Sequence, residues 1–201
     1  MTKPFSQACE NNKGPILEVL RRYLRPGCTV LEIGSGTGQH AVFFGGQLPE
    51  VTWQTSDRRP NHAGIRLWLD EAGLSNVRRP LALDVLQEPW SAVDADAVFS
   101  ANTAHIMSWT AVEAMVSGVG RLLAGGGLFL LYGPFSYAGV HTSNSNRAFD
   151  ESLRLRDPSM GIRDFERVVA LAEAAGLAFL EDVAMPANNR LIAWRKTSAP
   201  A

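Results

Sequence analysis

The sequence predicts an α/β domain: a mostly parallel sheet with helices on both faces, ending in an antiparallel hairpin. Three observations carry this. Short apolar runs alternate with amphipathic stretches along most of the chain, and strand–helix–strand repeats require crossover connections and a parallel sheet. A buried strand, Val30-Leu31-Glu32-Ile33, delivers a glycine loop, Gly34-Ser35-Gly36-Thr37-Gly38, that opens a helix at Gln39. Two final apolar runs, 177–185 and 190–195, are separated by only four residues. So short a link makes a hairpin, not another crossover.

In chain order, the stripe Ile16, Leu17, Val19, Leu20, Tyr23 and Leu24 predicts a helix that Pro26-Gly27 ends. A strand follows over 29–33, a helix over 39–45, a strand over 51–55 and a helix over 61–72. Short strands are expected over 81–83 and 97–100, a helix over 110–123, a Gly125-Gly126-Gly127 turn and a strand over 128–132. The connection 136–163 is unusually long and rich in Asn, Ser and Arg, with a helix expected over 147–154; links of that length tend to be functional. A helix over 164–175 closes at Gly176. Residues 1–196 are read as one domain. Within it 1–26 form a cover segment and helix and 136–163 an insertion over a pocket; the tail 197–201 is expected to be disordered, with fraying from Lys196.

The 201 residues, 46% hydrophobic, suit one core. Nineteen basic against twenty acidic residues leave a formal charge of -1, so no broad positive face exists for a phosphate backbone and no nucleic-acid partner is expected. Two cysteines, Cys9 and Cys28, provide neither a disulfide framework nor metal spacing, and no metal is expected. The longest apolar run, 128–132, is far too short for a membrane span, and the N-terminus lacks a signal-type apolar stretch. A cytoplasmic monomer or homodimer is expected.

The glycine loop carries the chemistry. Glycines at 34, 36 and 38 allow tight turning and close approach of a ligand. A dinucleotide fingerprint would put glycine at 39, where this chain has Gln39. Glu32, beside the loop, favours a cationic ligand over a pyrophosphate; its alternative role is to bind local amides. Asp57 ends the second strand, where a carboxylate can accept both ribose hydroxyls. Asp84 follows the third strand and can accept from an adenine amino group or serve as a cap or turn residue.

Glu32 to Gly38, Asp57, Asp84 and the turn at 122–127 resemble the ordered motifs of class I S-adenosylmethionine (SAM)-dependent methyltransferases. Over nearly the whole chain, Asn12-Lys13, Gln39-His40-Ala41, Ala101-Asn102, His105-Ile106, Tyr132-Gly133-Pro134-Phe135, Gly161-Ile162-Arg163-Asp164 and Met185-Pro186-Ala187-Asn188-Asn189 resemble the methyltransferase-like family catalogued as domain of unknown function 938. That family carries arginine where this chain has Asn11. The resemblance implies a single-domain Rossmann-like methyltransferase fold with a seven-stranded sheet. It implies SAM as cofactor, held by Glu32, Gly34, Ser35, Gly36, Gly38, Asp57, Asp84, Val85 and Asn102, and methyl transfer to a small-molecule acceptor. A SAM-using enzyme that does not methylate, or a non-catalytic SAM-binding protein, would carry the same motifs.

Methyl transfer is an in-line displacement and needs a base only when the acceptor arrives protonated. Candidate catalytic residues are His105 and Tyr132, with packing roles as the alternative for each. Candidate acceptor contacts are Asn12, Trp109, Phe135, Asn146 and Arg156. No Asn/Asp-Pro-Pro-Tyr/Phe motif follows the fourth strand (it reads Ser100-Ala101-Asn102-Thr103), which disfavours amino-group methylation of nucleobases or glutamine.

Overall fold

β-Branched and apolar residues make β1 (Thr29–Ile33) a strand buried from Val30 onward. It pairs in parallel with β2 (Thr52–Asp57) on one side and β4 (Ala97–Ala101) on the other. The computed structural model describes residues 2–90 and 93–198. β3 (Val77–Ala82) pairs in parallel with β2, starting four residues before the expected run because Arg78-Arg79 and Pro80 hide its pattern. Its edge position explains how it tolerates proline.

The chain falls into two compact units, Met1–Ser100 and Ala101–Ala201. In the first, α1 (Gln7–Tyr23), α2 (Gln39–Gln47) and α3 (His62–Ala72) accompany β1 to β3. Helix α1 begins nine residues before the apolar stripe: Ser6 caps it by accepting from Cys9 N, and Pro15 is accommodated inside it. Its core is aromatic. Phe44 lies 5.2 Å from Trp53 and 5.6 Å from Phe99 between ring centroids, and all three are fully buried.

The second unit contains α4 (Trp109–Leu122), β5 (Leu128–Gly133), α5 (Asn144–Arg156), α6 (Phe165–Ala174) and the hairpin β9 (Leu177–Met185) and β10 (Asn189–Lys196). β10 is antiparallel to both β5 and β9. The large sheet runs β3-β2-β1-β4-β5-β10-β9, seven strands, mostly parallel with an antiparallel end. Trp194 of β10 stacks on Phe129, its register partner in β5, at 5.2 Å between ring centroids.

The long connection was expected to hold one helix; it holds that helix and a second sheet. β6 (Phe135–Tyr137) pairs antiparallel with β7 (Val140–His141) and parallel with β8 (Arg163–Asp164). Lys196, expected to fray, is hydrogen-bonded through its amide to Gly127 O at 2.7 Å, and Thr197 N donates to Gly176 O at 2.9 Å. Of the tail expected to be disordered, residues 199–201 lie outside the described residues. No described helix is long and apolar enough to cross a membrane.

Candidate functional site

The loop between β1 and α2 is built from three glycines at positive φ: Gly34 (76°), Gly36 (57°) and Gly38 (93°). Their reasons differ. A Cβ on Gly36 would meet only Gly34 O, at 4.0 Å, so its free side faces open space. A Cβ on Gly38 would press on Ile65 Cα at 3.1 Å and Trp68 Cβ at 3.3 Å. Gly38 therefore serves the approach of α3, and Gly36 leaves room for a ligand.

Three acceptors hold the loop in place. Gly34 N and Ser35 N both donate to Ser56 O, at 3.1 and 2.9 Å. Asp57 Oδ2 accepts from Gly36 N at 2.7 Å, while its Oδ1 accepts from Arg58 N (2.7 Å) and Asn61 Nδ2 (2.8 Å). Asp57 thus anchors the loop as well as standing at the end of β2. Glu32 is fully buried, and its Oε2 accepts from Ser35 Oγ (2.7 Å) and Trp53 Nε1 (3.1 Å). Its donors are side chains, not the local amides that were its alternative. Burial outweighs both bonds and raises its pKa to about 7.

Asp84 lies two residues beyond β3. Its Oδ1 accepts from Leu86 N (3.1 Å) and its carbonyl from Gln87 N (2.9 Å), which is turn geometry. Val85 beside it is buried. Asn102 takes a left-handed conformation (φ 58°) just after β4, its amide donating to Tyr132 O at 2.9 Å.

Several residues near the loop escaped sequence reasoning. Gln39 is buried: Oε1 accepts from Ser6 N at 2.6 Å, and Nε2 donates to Glu10 Oε1 at 2.9 Å. The start of α1 is therefore fastened to the loop's own helix. Asn12, expected to touch an acceptor, is buried with Oδ1 2.7 Å from His40 Nε2. Desolvation lowers His40 to about 4, so the ring is neutral and its Nε2–H donates to Asn12 Oδ1.

In the second unit, His105 is buried, edge-on to Phe149 at 5.3 Å, and its carbonyl accepts from Gly161 N at 2.9 Å. Desolvation, then the charge of Arg163, lowers its pKa to about 4. Tyr132 and Phe135 are buried. Asn146, also buried, donates to Thr142 Oγ1 (2.9 Å) and Asn188 O (3.1 Å), tying α5 to the hairpin's turn. Arg156 is exposed on the last turn of α5. Trp109 is half-buried and lines a cavity of about 560 Å³ together with residues of β6, α5, β8 and α6. Phe135, Asn146 and Arg156 are not among that cavity's lining residues.

The family described as "Protein of unknown function (DUF938)" matches residues 3–196. The chain belongs to that family. Its fold recurs in solved methyltransferases. An O-methyltransferase family protein from Burkholderia thailandensis superposes with a TM-score of 0.79 at 17% identity, over 94% of this chain and 57% of that one. An O-methyltransferase family 2 protein from Planctomyces limnophilus, solved with apigenin, gives 0.82 at 16% identity, over 94% and 58%. Human N-acetylserotonin methyltransferase, solved with SAM, gives 0.78 at 15% identity, over 96% and 53%. This DUF938 chain thus shares the class I methyltransferase fold and spans somewhat more than half the length of those structures.

Proposed function

We propose that this protein binds SAM on the β1–α2 loop and passes its methyl group to a small-molecule acceptor. The observation that carries the reading is the loop: Gly36 faces open space at φ 57° while Asp57 holds its amide and buried Glu32 lies beneath. This is a preformed cradle with carboxylates beside it, suited to a ligand that has hydroxyls and positive charge rather than phosphates. Solved proteins of this fold include one in complex with SAM.

When bound, SAM supplies an activated methyl group for in-line displacement. The chain's own part is to bind, align and exclude water. In this reading Gly34, Ser35 and Gly36 take the methionine part. Asp57 holds the ribose while keeping the loop open, and Asp84 and Val85 bound the adenine. Glu32 gains stability as a carboxylate when a cation arrives. His105 is neutral at physiological pH and has low basicity, so it orients an acceptor proton more readily than it removes one. Tyr132 acts as a wall.

The test is incubation of the protein with methyl-labelled SAM and a metabolite extract. Label should enter a low-molecular-weight product, and Gly36→Val, which fills the space beside the loop and strains it at φ 57°, should abolish that transfer. Label remaining wholly in SAM with every extract fraction, despite SAM binding, would contradict methyl transfer.

A further inference from the structure

The cavity in the second unit has an unusual charge pattern. Arg163 is buried on β8, yet its bonds go to backbone carbonyls: Nε donates to Ala104 O at 2.8 Å and an Nη to Met107 O and to Ser159 O (3.0 Å). These bonds fix the guanidinium without neutralising it. Arg154 and Arg167 also line the cavity, so three guanidinium groups share one concavity. Arg167 lies over the Trp109 ring, 4.2 Å from its centroid.

Three carboxylates face the same space, but each is already engaged by donors. Asp150 accepts from Ile162 N (2.6 Å) and Arg154 Nε (2.8 Å), with His141 Nε2 3.6 Å away. Asp164 accepts from Gly139 N (2.8 Å) and, as the cap of α6, from Arg167 N (3.4 Å). Glu166 accepts from Ala138 N at 3.0 Å. His141 Nδ1, also on this wall, is buried with no hydrogen-bond partner among the described residues. Backbone amides and, at Asp150, the Arg154 ion pair take up lone pairs of these acids, while the arginines retain N–H groups for a further partner. Desolvation lowers the pKa of Arg163, and the charges of Arg154 and Arg167 lower it further against the opposing pull of Asp150. A buried charge in that position is stabilised by an anion.

We infer that this cavity takes a small aromatic carboxylate, its anionic group among Arg154, Arg163 and Arg167 and its ring against Trp109. Guanidinium groups bind carboxylates through paired N–H donors, and an indole face offers stacking to a planar ring. About 560 Å³ suits one small-molecule ligand. Naming this ligand as the methyl acceptor rests on the methyltransferase reading; the binding does not.

The experiment is calorimetry on the full chain without SAM, at low salt, with 4-hydroxybenzoate, its uncharged amide 4-hydroxybenzamide, and acetate. The benzoate should bind at least about tenfold more tightly than either of the others. Arg167→Gln should weaken it by about tenfold, and Arg167→Lys should recover part of that loss. Equal affinity for benzoate and amide overturns the anionic half, equal affinity for benzoate and acetate the aromatic half, and no binding overturns both. Since SAM is absent, failure here leaves the cofactor reading standing, and failure to bind SAM leaves this cavity's ligand untouched.

Discussion

Asp57→Asn isolates the group on which loop and cofactor both depend. Asp57 presents two oxygens to three donors: Gly36 N to Oδ2, and Arg58 N and Asn61 Nδ2 to Oδ1. An asparagine has one acceptor and one donor end. Whichever way it turns, its NH₂ meets at least one backbone N–H, at Gly36 or Arg58. One charge-assisted bond is lost and a donor is set against a donor, a cost of about 1.5–3 kcal/mol when the groups are largely buried. Urea unfolding should register that loss. Losing the carboxylate should also weaken SAM by about 1.5–3 kcal/mol, roughly ten- to a hundredfold, measured by calorimetry on the folded variant. Wild-type stability would show that Asp57 does not anchor the loop. Wild-type SAM affinity in a folded variant would refute its assignment to the ribose.

Other expectations follow from burial. Folded Glu32 has a pKa of about 7 against 4.5 for the free group, so between those values the folded state holds a proton that the unfolded state has lost. Its contribution to stability therefore falls as pH rises through that window, by about 3 kcal/mol in all. The stability of Glu32→Gln relative to wild type should climb by that much from pH 4.5 to 7; a flat difference would contradict it. His40 and His105 run the other way: lowered to about 4, they bind fewer protons than the unfolded chain below pH 6.5, and stability falls as pH drops from 6.5 to 4. Their NMR signals should show no titration near pH 6.5. A Cβ on Gly120 would meet Ala175 O at 2.5 Å, so Gly120→Ala should lower stability by about 1–3 kcal/mol in thermal or urea unfolding. Asn146→Ala removes the donor to Thr142 Oγ1 and Asn188 O, both on exposed residues where water can replace it; it should cost about 0.5–1.5 kcal/mol in urea unfolding and leave SAM affinity unchanged by calorimetry.

The strand 29–33 and its glycine loop were legible because their signal is local: an apolar run, three glycines at alternate positions and a helix start. The terminal hairpin was legible because its four-residue link admits no crossover. β6, β7 and β8 were not, since strands of two or three residues carry no readable period. The start of α1 was hidden by its polar first turns and Pro15. At the candidate site, the fault lay in distance. Gly161-Ile162-Arg163-Asp164 stood out in the sequence, but Arg163 earns its place through carbonyls of Ala104 and Met107, 59 and 56 positions earlier. Asn12 and Asn146 were read as acceptor contacts from the segments that carry them; the hydrogen bonds that bury them, to His40 and to Asn188, join residues too far apart in the chain to be read from it. Gln39 was read only as a missing glycine, whereas it fastens the chain's first helix to the loop.

The most direct test of the cofactor assignment is native mass spectrometry of the purified protein, titrated in parallel with SAM and with NADH. One SAM should bind per chain, the complex should be lost in Gly36→Val, and no NADH adduct should form. An NADH complex, or no SAM complex at concentrations far above those that saturate known SAM-binding folds, would contradict that assignment.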